Sequence, residues 1–319
     1  MADGRELEGV VLRSHSGHCE VAAEGLVWRC RTRGRLQQGP RETQAVVVAG
    51  DRVRLRERPA EGEGSGPLGV VEAVLPRRNR IARWASRRSG GRVEQVVMAN
   101  LDQVLAVQSL AQPAPTPGFV DRLLAAAARY DVGGVLCLNK IDLDRAGAAD
   151  PRWDHYAVAG YRVLRVSAET GEGIEELRES LRDRVSLLLG ASGTGKSSLL
   201  NRLQPGLHLR TGSVTERTGL GRHTTTGTEL YPLAGGYLAD SPGMRGFDPH
   251  GLEPVDLRGL FPDLTGPASA CRYRTCLHRD EPECGVKAAV ARGTIPRWRH
   301  EAYLALLADV EERRVRPGQ

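Results

Sequence analysis

The sequence predicts a multi-domain α/β protein with three successive parts, and three patterns support that division. Short β-like runs fill residues 1 to about 75, strands alternate with helices from about residue 98, and a Cys/His segment precedes a helical end. Strands that alternate with helices are typical of a mostly parallel sheet covered on both faces. We therefore expect a small β-barrel, an α/β domain and a metal-binding, mostly helical domain.

The first part consists of runs such as GVVLR, CEVAA and AVVVAGDRVRLRE, which Gly-rich turns separate. About five strands in this length favour a small barrel over residues 1–78. A basic linker is expected next, over 79–97. Residues 77–92 hold seven arginines, Trp84 and no acid. Such a cluster suits contacts with nucleic-acid phosphates, with Trp84 as a candidate stacking residue, but an Arg-rich solvated linker has the same composition.

The charge and hydropathy patterns limit the class of protein. The net charge of +6 and the pI of about 9.2 permit nucleic-acid binding without requiring it. The N-terminal residues lack the apolar core of a signal peptide, and no apolar run approaches the roughly 18 residues of a membrane span. We expect a soluble cytoplasmic protein that does not interact with membranes.

A phosphate-binding loop is predicted at "GASGTGKS", between an apolar strand and a helix with leucines at helical spacing. This context is the one that the G-x-x-x-x-G-K-[ST] pattern requires. Lys196 is expected to reach the β- and γ-phosphates and to assist catalysis, and the Ser197 hydroxyl to bind Mg²⁺. The residues expected to contact the phosphates are Gly190, Ala191, Ser192, Gly193, Thr194, Gly195, Lys196, Ser197 and Ser198.

A base-recognition element is predicted at "NKID", which follows another apolar strand. The Asp142 carboxylate can accept two hydrogen bonds from the N1–H and N2–H₂ edge of guanine, and adenine lacks that donor pair. Asn139 can bond the other edge of the base and brace the phosphate loop, while the stem of Lys140 lies over the base. By itself the tetrapeptide also fits an exposed turn with a surface salt bridge. Together with the phosphate loop it predicts GTP and GDP as ligands.

Two further elements are expected at the same site. Asp240 and Gly243 belong to "DSPG", which ends a strand and suits an aspartate that holds Mg²⁺ through water and a glycine N–H that senses the γ-phosphate. The same four residues are also an ordinary turn signature. Ser167 and Ala168 follow "YRVLRV" and are expected to close over the guanine with backbone N–H groups.

The segment "GLGRHTTTGTE" lies where a γ-phosphate-sensing loop is expected. Thr225 is the preferred second Mg²⁺ ligand, with Thr224 and Thr226 as alternatives. His223 can orient the attacking water, although a surface-loop histidine fits equally well. Met244 stands where many GTPases carry a water-orienting glutamine. Slow intrinsic hydrolysis that depends on an activator would follow.

A metal site is predicted from four residues in "CRYRTCLHRDEPEC". Three thiolates and one imidazole form a closed tetrahedral set, which suits a structural zinc ion rather than a catalytic one. The alternative is three buried thiols beside a surface histidine. The expected ligands are Cys271, Cys276, His278 and Cys284.

The order of these motifs is itself informative, because the base-recognition element precedes the phosphate loop. In that order, and in "VAGDRVRL", "PRRNRIARW", "GRHTTT" and the Cys/His segment, the chain resembles the circularly permuted GTPases of small-subunit biogenesis, ribosome small-subunit-dependent GTPase A. The resemblance implies an OB-fold over residues 1–78, a permuted GTPase domain over 98–248 and a zinc-binding domain over 249–319. It also matches His223 to the proposed catalytic histidine of the family.

For function, the resemblance implies GTP hydrolysis that the small (30S) ribosomal subunit stimulates, in late maturation of that subunit. The implied partners are the subunit and its ribosomal RNA, and we expect a monomer. Two alternatives are a binding module that uses GTP only to hold one conformation and a GTP-dependent protein that delivers zinc. The permutation also suggests that a short covalent connection from "DSPG" couples γ-phosphate sensing to the C-terminal domain.

Overall fold

The computed structural model describes most of the chain. The described residues are 4–15, 17–33, 47–59, 66–86, 92–116, 118–205, 228–240 and 252–315. The strands are β1 (Glu6–His15), β2 (His18–Ala23), β3 (Leu26–Thr32), β4 (Arg52–Arg58), β5 (Leu68–Val74), β6 (Arg80–Ser86), β7 (Arg92–Ala99), β8 (Gln103–Ser109), β9 (Gly133–Asn139), β10 (Arg162–Val166), β11 (Val185–Leu189), β12 (Glu229–Leu233) and β13 (Gly236–Asp240). The helices are α1 (Phe119–Arg129), α2 (Arg145–Ala148), α3 (Pro151–Val158), α4 (Ile174–Leu181), α5 (Lys196–Leu203), a 3-10 helix (Pro254–Gly259), α6 (Pro262–Ala268), α7 (Gly285–Ala291) and α8 (Arg297–Val315).

The chain divides into two compact units, each built from several segments. The first unit comprises Met1–Gln103, Arg178–Leu188 and Gly212–Met244, and the second comprises Val104–Leu177, Leu189–Thr211 and Arg245–Gln319.

The first unit contains the predicted barrel, and the expected fold of residues near the N-terminus is confirmed. Strands β1 to β5 close in the order β1-β2-β3-β5-β4, and β4 pairs back onto β1. Alternate residues of β2, β3 and β4 are buried, as the two-residue period of a strand requires. The barrel core includes Leu7, Val11, Val21, Trp28, Val53, Leu55 and Val71.

An antiparallel hairpin follows the barrel in the first unit. Strands β6 and β7 pair from Arg80↔Ala99 to Ser86↔Arg92, so much of the segment expected as a basic linker has regular structure. Asp51 is fully buried and accepts two hydrogen bonds from Arg77, at 2.7 and 2.9 Å. A buried carboxylate needs a cationic partner, and Arg77 supplies it. The ion pair therefore links the connection between β3 and β4 to the chain just before the hairpin.

The first unit also includes three neighbouring strands, β11, β13 and β12. Strand β13 lies between β11, to which it is parallel, and β12, to which it is antiparallel. The parallel register places Asp240 beside Leu188. Strand β11 ends one residue later, at Leu189, and the first glycine of the phosphate loop follows it.

The second unit contains the predicted strand and helix alternation. Its strands lie in the order β10-β9-β8, and β9 and β10 are parallel. Every residue of β8 is buried, as expected of a strand with both faces covered. The carboxyl ends of these strands carry the predicted base-recognition residues, since β9 ends at Asn139 and β10 ends just before Ser167.

The C-terminal part of the second unit is mostly helical, as predicted. The 3-10 helix and α6 to α8 bury a core that also includes Ala125 of α1. Phe261 and Tyr303 pack edge to face in this core, with ring centroids 5.3 Å apart. Among the described helices, none combines the length and the apolar character needed to cross a membrane.

Candidate guanine-nucleotide and metal sites

The phosphate loop connects β11 to α5 in a conformation that depends on its glycines. Gly193 and Gly195 have φ angles of 82° and 91°, in the left-handed region that glycine tolerates. A Cβ atom on Gly190 would lie 2.4 Å from the Val107 carbonyl oxygen, so no larger residue fits there. Lys196 Nζ donates to the carbonyls of Gly190 and Ala191, both at 2.8 Å, and therefore lies inside the curve of the loop. Glycines at these positions are what the phosphate-binding pattern requires.

Asn139 connects the base-recognition element to the phosphate loop. Its side chain is 1% exposed, and its Nδ2 donates to the Thr194 carbonyl at 2.9 Å. Its Oδ1 accepts from the Ala168 backbone N–H at 3.2 Å. The structure thus brings three predicted segments together through one amide, whose donor and acceptor are both used.

Asp142 carries a buried acceptor that the described residues leave without a partner. Its Oδ1 makes no hydrogen bond within that part of the chain. An unpaired buried acceptor costs about 1–3 kcal/mol, a cost that a ligand with a matching donor removes. Guanine offers such donors at N1 and N2, so the carboxylate fits that base.

The Ser167–Glu172 turn contains Ala168, whose N–H bonds Asn139. Ser167 is fully buried; its Oγ accepts from the Thr170 N–H at 3.0 Å, and its N–H donates to the Glu172 carbonyl at 2.9 Å. Arg145 binds the Glu172 carboxylate through both terminal nitrogens, each at 2.7 Å. These bonds lower the pKa of the Glu172 carboxyl. Sequence reasoning missed the pair of Arg145 and Glu172. Its only trace in the sequence is that each residue follows one of the two base-recognition segments by a few positions.

The structure describes some of the remaining predicted residues and does not describe others. Ser192, Gly193 and Ser198 are exposed on the loop and on the first turn of α5, and Ser197 is half-buried. Asp240 ends β13. The predicted switch residues His223, Thr224, Thr225 and Thr226 lie outside the described residues, as do Gly243 and Met244.

The four predicted metal ligands converge. Their ligand atoms all lie within 4.8 Å of one another. Cys271 Sγ is 3.9 Å from Cys284 Sγ, and His278 Nδ1 is 3.5 and 3.4 Å from these two sulfurs. Tetrahedral zinc with bonds of about 2.3 Å to sulfur and 2.0 Å to nitrogen needs separations of roughly 3.5–3.8 Å. The cluster therefore has the size of a zinc site.

The surroundings of the cluster act differently on its groups. Burial alone would raise the pKa of the Cys271 thiol, but hydrogen bonds from the backbone N–H groups of Gly285 and Val286 and from the neighbouring thiols outweigh it, and the pKa is lowered. Burial raises the pKa of the Cys276 thiol to about 12, so this thiol would lose its proton to a bound metal ion. Burial, with the charge of Arg258, lowers the pKa of His278 to about 4, so its imidazole is neutral at pH 7. His300 Nε2 lies 2.8 Å from the His278 carbonyl oxygen and holds the ligand's backbone. Such outer contacts orient metal ligands, and the sequence alone did not indicate this role for His300.

Comparison with known proteins gives one consistent result. The RsgA GTPase family model matches residues 74–250, and the RsgA N-terminal domain model matches residues 8–65. The chain is 41% identical over 305 residues to the small ribosomal subunit biogenesis GTPase RsgA of Moorella thermoacetica, covering 95% of this chain and 97% of the relative. For the Gemmatimonas aurantiaca protein of the same name the identity is 39% over 301 residues, covering 93% and 95%.

Solved structures agree with the sequence relatives. The crystal structure of YjeQ from Thermotoga maritima has a TM-score of 0.75 and 32% identity, and covers 96% of this chain and 99% of its own. YloQ, described as a circularly permuted GTPase, has a TM-score of 0.74 and 26% identity, covering 98% and 97%. The expected fold class, with its permuted nucleotide-binding domain, is confirmed.

Proposed function

The chain belongs to the RsgA GTPase family and is a GTP-hydrolysing enzyme of ribosome biogenesis, and from that premise we propose how it acts. It binds the small (30S) ribosomal subunit, assists late maturation of that subunit, and hydrolyses GTP faster when bound to it. The single observation that best supports the nucleotide site is Asn139, which holds the phosphate loop and Ala168 together beside the unpaired Asp142.

In this proposal the base and the phosphates of GTP bind to different segments. Asp142 accepts from the guanine N1–H and N2–H₂ groups, and the stem of Lys140 lies along the base. Ser167 and Ala168 close over the ring. The phosphates bind the backbone N–H groups of the loop, where their charge is favoured at the start of α5.

Mg²⁺ would accompany the nucleotide and neutralise charge on the β- and γ-phosphate oxygens. Ser197 would supply one ligand and Thr225 another, with Thr224 and Thr226 as alternatives. Asp240 would hold the ion through water. Lys196 would leave its present carbonyl partners and donate to phosphate oxygens, and His223 would orient the attacking water.

The Cys/His cluster would hold one structural zinc ion. Four protein ligands leave no open position, so the ion orders the surrounding loops and does not take part in hydrolysis. Because the cluster shares its hydrophobic core with α6 to α8, metal binding would stabilise this helical end of the chain.

The domains proposed for these tasks are an OB-fold over 1–78, a basic segment over 79–97, the GTPase domain over 98–248 and the zinc-binding domain over 249–319. The barrel and the Arg-rich segment would contact ribosomal RNA. We propose that the protein is a cytoplasmic monomer when it binds the subunit.

Phosphate release tests the proposal. Initial rates of GTP hydrolysis would be measured with the purified full-length protein alone, with purified small subunits and with purified large subunits. We expect that adding small subunits raises the rate by at least about tenfold and that adding large subunits does not. An equal rate in all three reactions would contradict subunit stimulation, while co-sedimentation in the same samples would show whether the subunit is bound at all.

A further inference from the structure

One short segment of the second unit touches both halves of the nucleotide site. The Ser109–Pro113 turn begins at the last residue of β8. The Gln112 carbonyl accepts a hydrogen bond from Lys140 Nζ. The Cδ atom of Pro113 lies 3.3 Å from the position that a Cβ atom on Gly193 would occupy, so the ring packs against the phosphate loop.

Buried polar side chains set the path of this turn. Ser109 is fully buried, and its hydroxyl donates to the Ala111 carbonyl. Gln108 is 3% exposed, and its Nε2 donates to the Ser109 carbonyl at 2.7 Å. Leu110 N–H donates to the Asn139 carbonyl at 3.2 Å. Three bonds thus fix the chain just before the carbonyl that receives Lys140.

The turn needs that support, because its conformation is unfavourable by itself. Gln112 has a φ angle of 49°, in the left-handed region that residues with a side chain rarely adopt. Such a residue persists only where its surroundings over-determine it. Removing the Ser109 hydroxyl would let the turn relax and would move the Gln112 carbonyl away from the ammonium.

Lys140 is the side chain that this anchor serves. Its Cε lies 3.9 Å from the position of a Cβ on Gly195, so the stem passes beside the phosphate loop. A lysine stem has many rotamers, and fixing its ammonium at one end keeps the methylene groups extended as an apolar surface. A purine can lie against that surface only while the stem stays in place.

We propose that Ser109 is a positioning residue for guanine-nucleotide binding, acting through the Ser109–Pro113 turn on Lys140. The inference rests on the proposed nucleotide site. The turn orders Lys140 and supports Gly193 before nucleotide arrives, so it lowers the dissociation constant of the nucleotide without taking part in hydrolysis.

The test is a double-mutant cycle on the full-length protein. The dissociation constants of GDP and a non-hydrolysable GTP analogue would be measured for wild type, Ser109→Ala, Lys140→Met and the double variant. We expect Ser109→Ala to weaken binding roughly three- to tenfold, the range of one lost hydrogen bond. In the Lys140→Met background the same substitution should have almost no further effect. For the single variant Ser109→Ala, kcat at saturating GTP should stay within about twofold of wild type while KM rises.

Ser186→Ala is the matched control. Ser186 is also fully buried, and its hydroxyl accepts from Gln103 Nε2 at 3.0 Å within the first unit. Ser186→Ala likewise removes one buried hydroxyl group, but that group does not contact the Ser109–Pro113 turn, so nucleotide affinity should be unchanged. Unchanged affinity in Ser109→Ala, equal losses in both serine variants, or fully additive effects with Lys140→Met would each overturn the inference. A wild-type protein without preference for guanine nucleotides would instead overturn the proposed function, and the inference with it.

Discussion

Asp142 has a buried hydrogen-bond acceptor that a ligand could satisfy. Its buried Oδ1 has no hydrogen-bond partner in the described part of the chain, although Arg145 and Glu172, the charged pair nearby, are bonded to each other. A carboxylate is an acceptor only, whereas an asparagine presents both an acceptor and two donors. In the proposed site, the identity of this one residue would therefore determine which purine edge is bound.

We predict that Asp142→Asn changes base preference. The variant should lose at least about tenfold of its GTP-over-ATP affinity ratio, because one acceptor for the guanine donors becomes a donor. Xanthine carries a carbonyl where guanine carries its amino group, so affinity for xanthosine nucleotides should rise. Competition binding with the three nucleotides measures both effects. An unaltered GTP-to-ATP ratio would rule out the proposed contact.

A second prediction at this scale concerns Ser197. Replacing it by alanine removes the proposed Mg²⁺ ligand at the start of α5, so hydrolysis should fall by at least about tenfold. The Mg²⁺ concentration needed for half-maximal activity should rise, and subunit binding should persist in part. Ser269→Ala is a suitable control, because among the described residues that hydroxyl bonds a nearby carbonyl, of Gly266, in the C-terminal helical part. Unchanged turnover in Ser197→Ala would show that the phosphate-loop assignment is wrong.

At the scale of elements, a buried ion cluster joins α1 to α6 and α8. Arg299 is 1% exposed and binds Asp263 through two nitrogens, at 3.0 and 2.9 Å, and also Asp121. Its guanidinium carbon lies 4.5 Å from the centre of the Phe261 ring. Arginine suits this place because its planar group can bond two carboxylates and stack on an aromatic face at once. The C-terminal helices are thereby fixed to the helix that follows the Ser109–Pro113 turn.

We predict that Arg299→Met destabilises the protein strongly. The substitution keeps an apolar stem but leaves two buried carboxylates without their cation, which typically costs about 3–5 kcal/mol. Arg297→Met changes an exposed residue of the same helix and should alter stability by less than about 0.5 kcal/mol. Urea unfolding of both variants gives the comparison. Equal stability of the two variants would mean that the buried pair contributes no net stability.

The same cluster predicts a pH dependence. Burial raises the pKa of the Asp263 carboxyl, but hydrogen bonds and charge from Arg299, with a hydrogen bond from His155, outweigh it and lower the pKa below the usual 3.8. A lowered folded-state pKa gives stability that is complete above the unfolded value and is lost as the pH falls through the folded value. Stability should therefore decline below about pH 4. Asp263→Asn should be less stable at pH 7 and should show a shallower decline below pH 4; parallel curves for the two proteins would contradict this.

At the scale of the whole molecule, sequence reasoning could propose a site where the pattern is local. The phosphate loop, "NKID" and the Cys/His set each lie within one short segment, so their spacing alone predicts a chemistry for them. The Arg299 cluster was not predictable, because Asp121, Asp263 and Arg299 are distant in sequence and individually look like surface charges. The hairpin of β6 and β7 was missed for a different reason. Its many arginines mask the alternation, and the composition suggested a linker.

The packing also bears on the expected coupling of "DSPG" to the C-terminal domain. The segment that would connect them lies largely outside the described residues. The described C-terminal helices nevertheless share one hydrophobic core with Ala125 of α1, and Arg122 of α1 pairs with Asp309 of α8. A movement of the C-terminal helices would therefore involve α1, which leads directly to the turn that holds Lys140. We propose α1 as a second route for such coupling, beside the expected covalent connection.

Metal removal should reveal how far this shared core extends. The proposed ligands Cys276 and Cys284 belong to the same cluster of buried residues as Tyr303 and Ala125, whereas the barrel has a separate core. We predict that a strong chelator, or Cys276→Ser, lowers amide hydrogen-exchange protection in α7 and α8 most and in α1 to a smaller degree. Protection in β1 to β5 should be unchanged, which makes the barrel an internal control. Loss of protection across both cores would show that the metal supports the whole chain, and no loss in α7 would show that the cluster does not order its own surroundings.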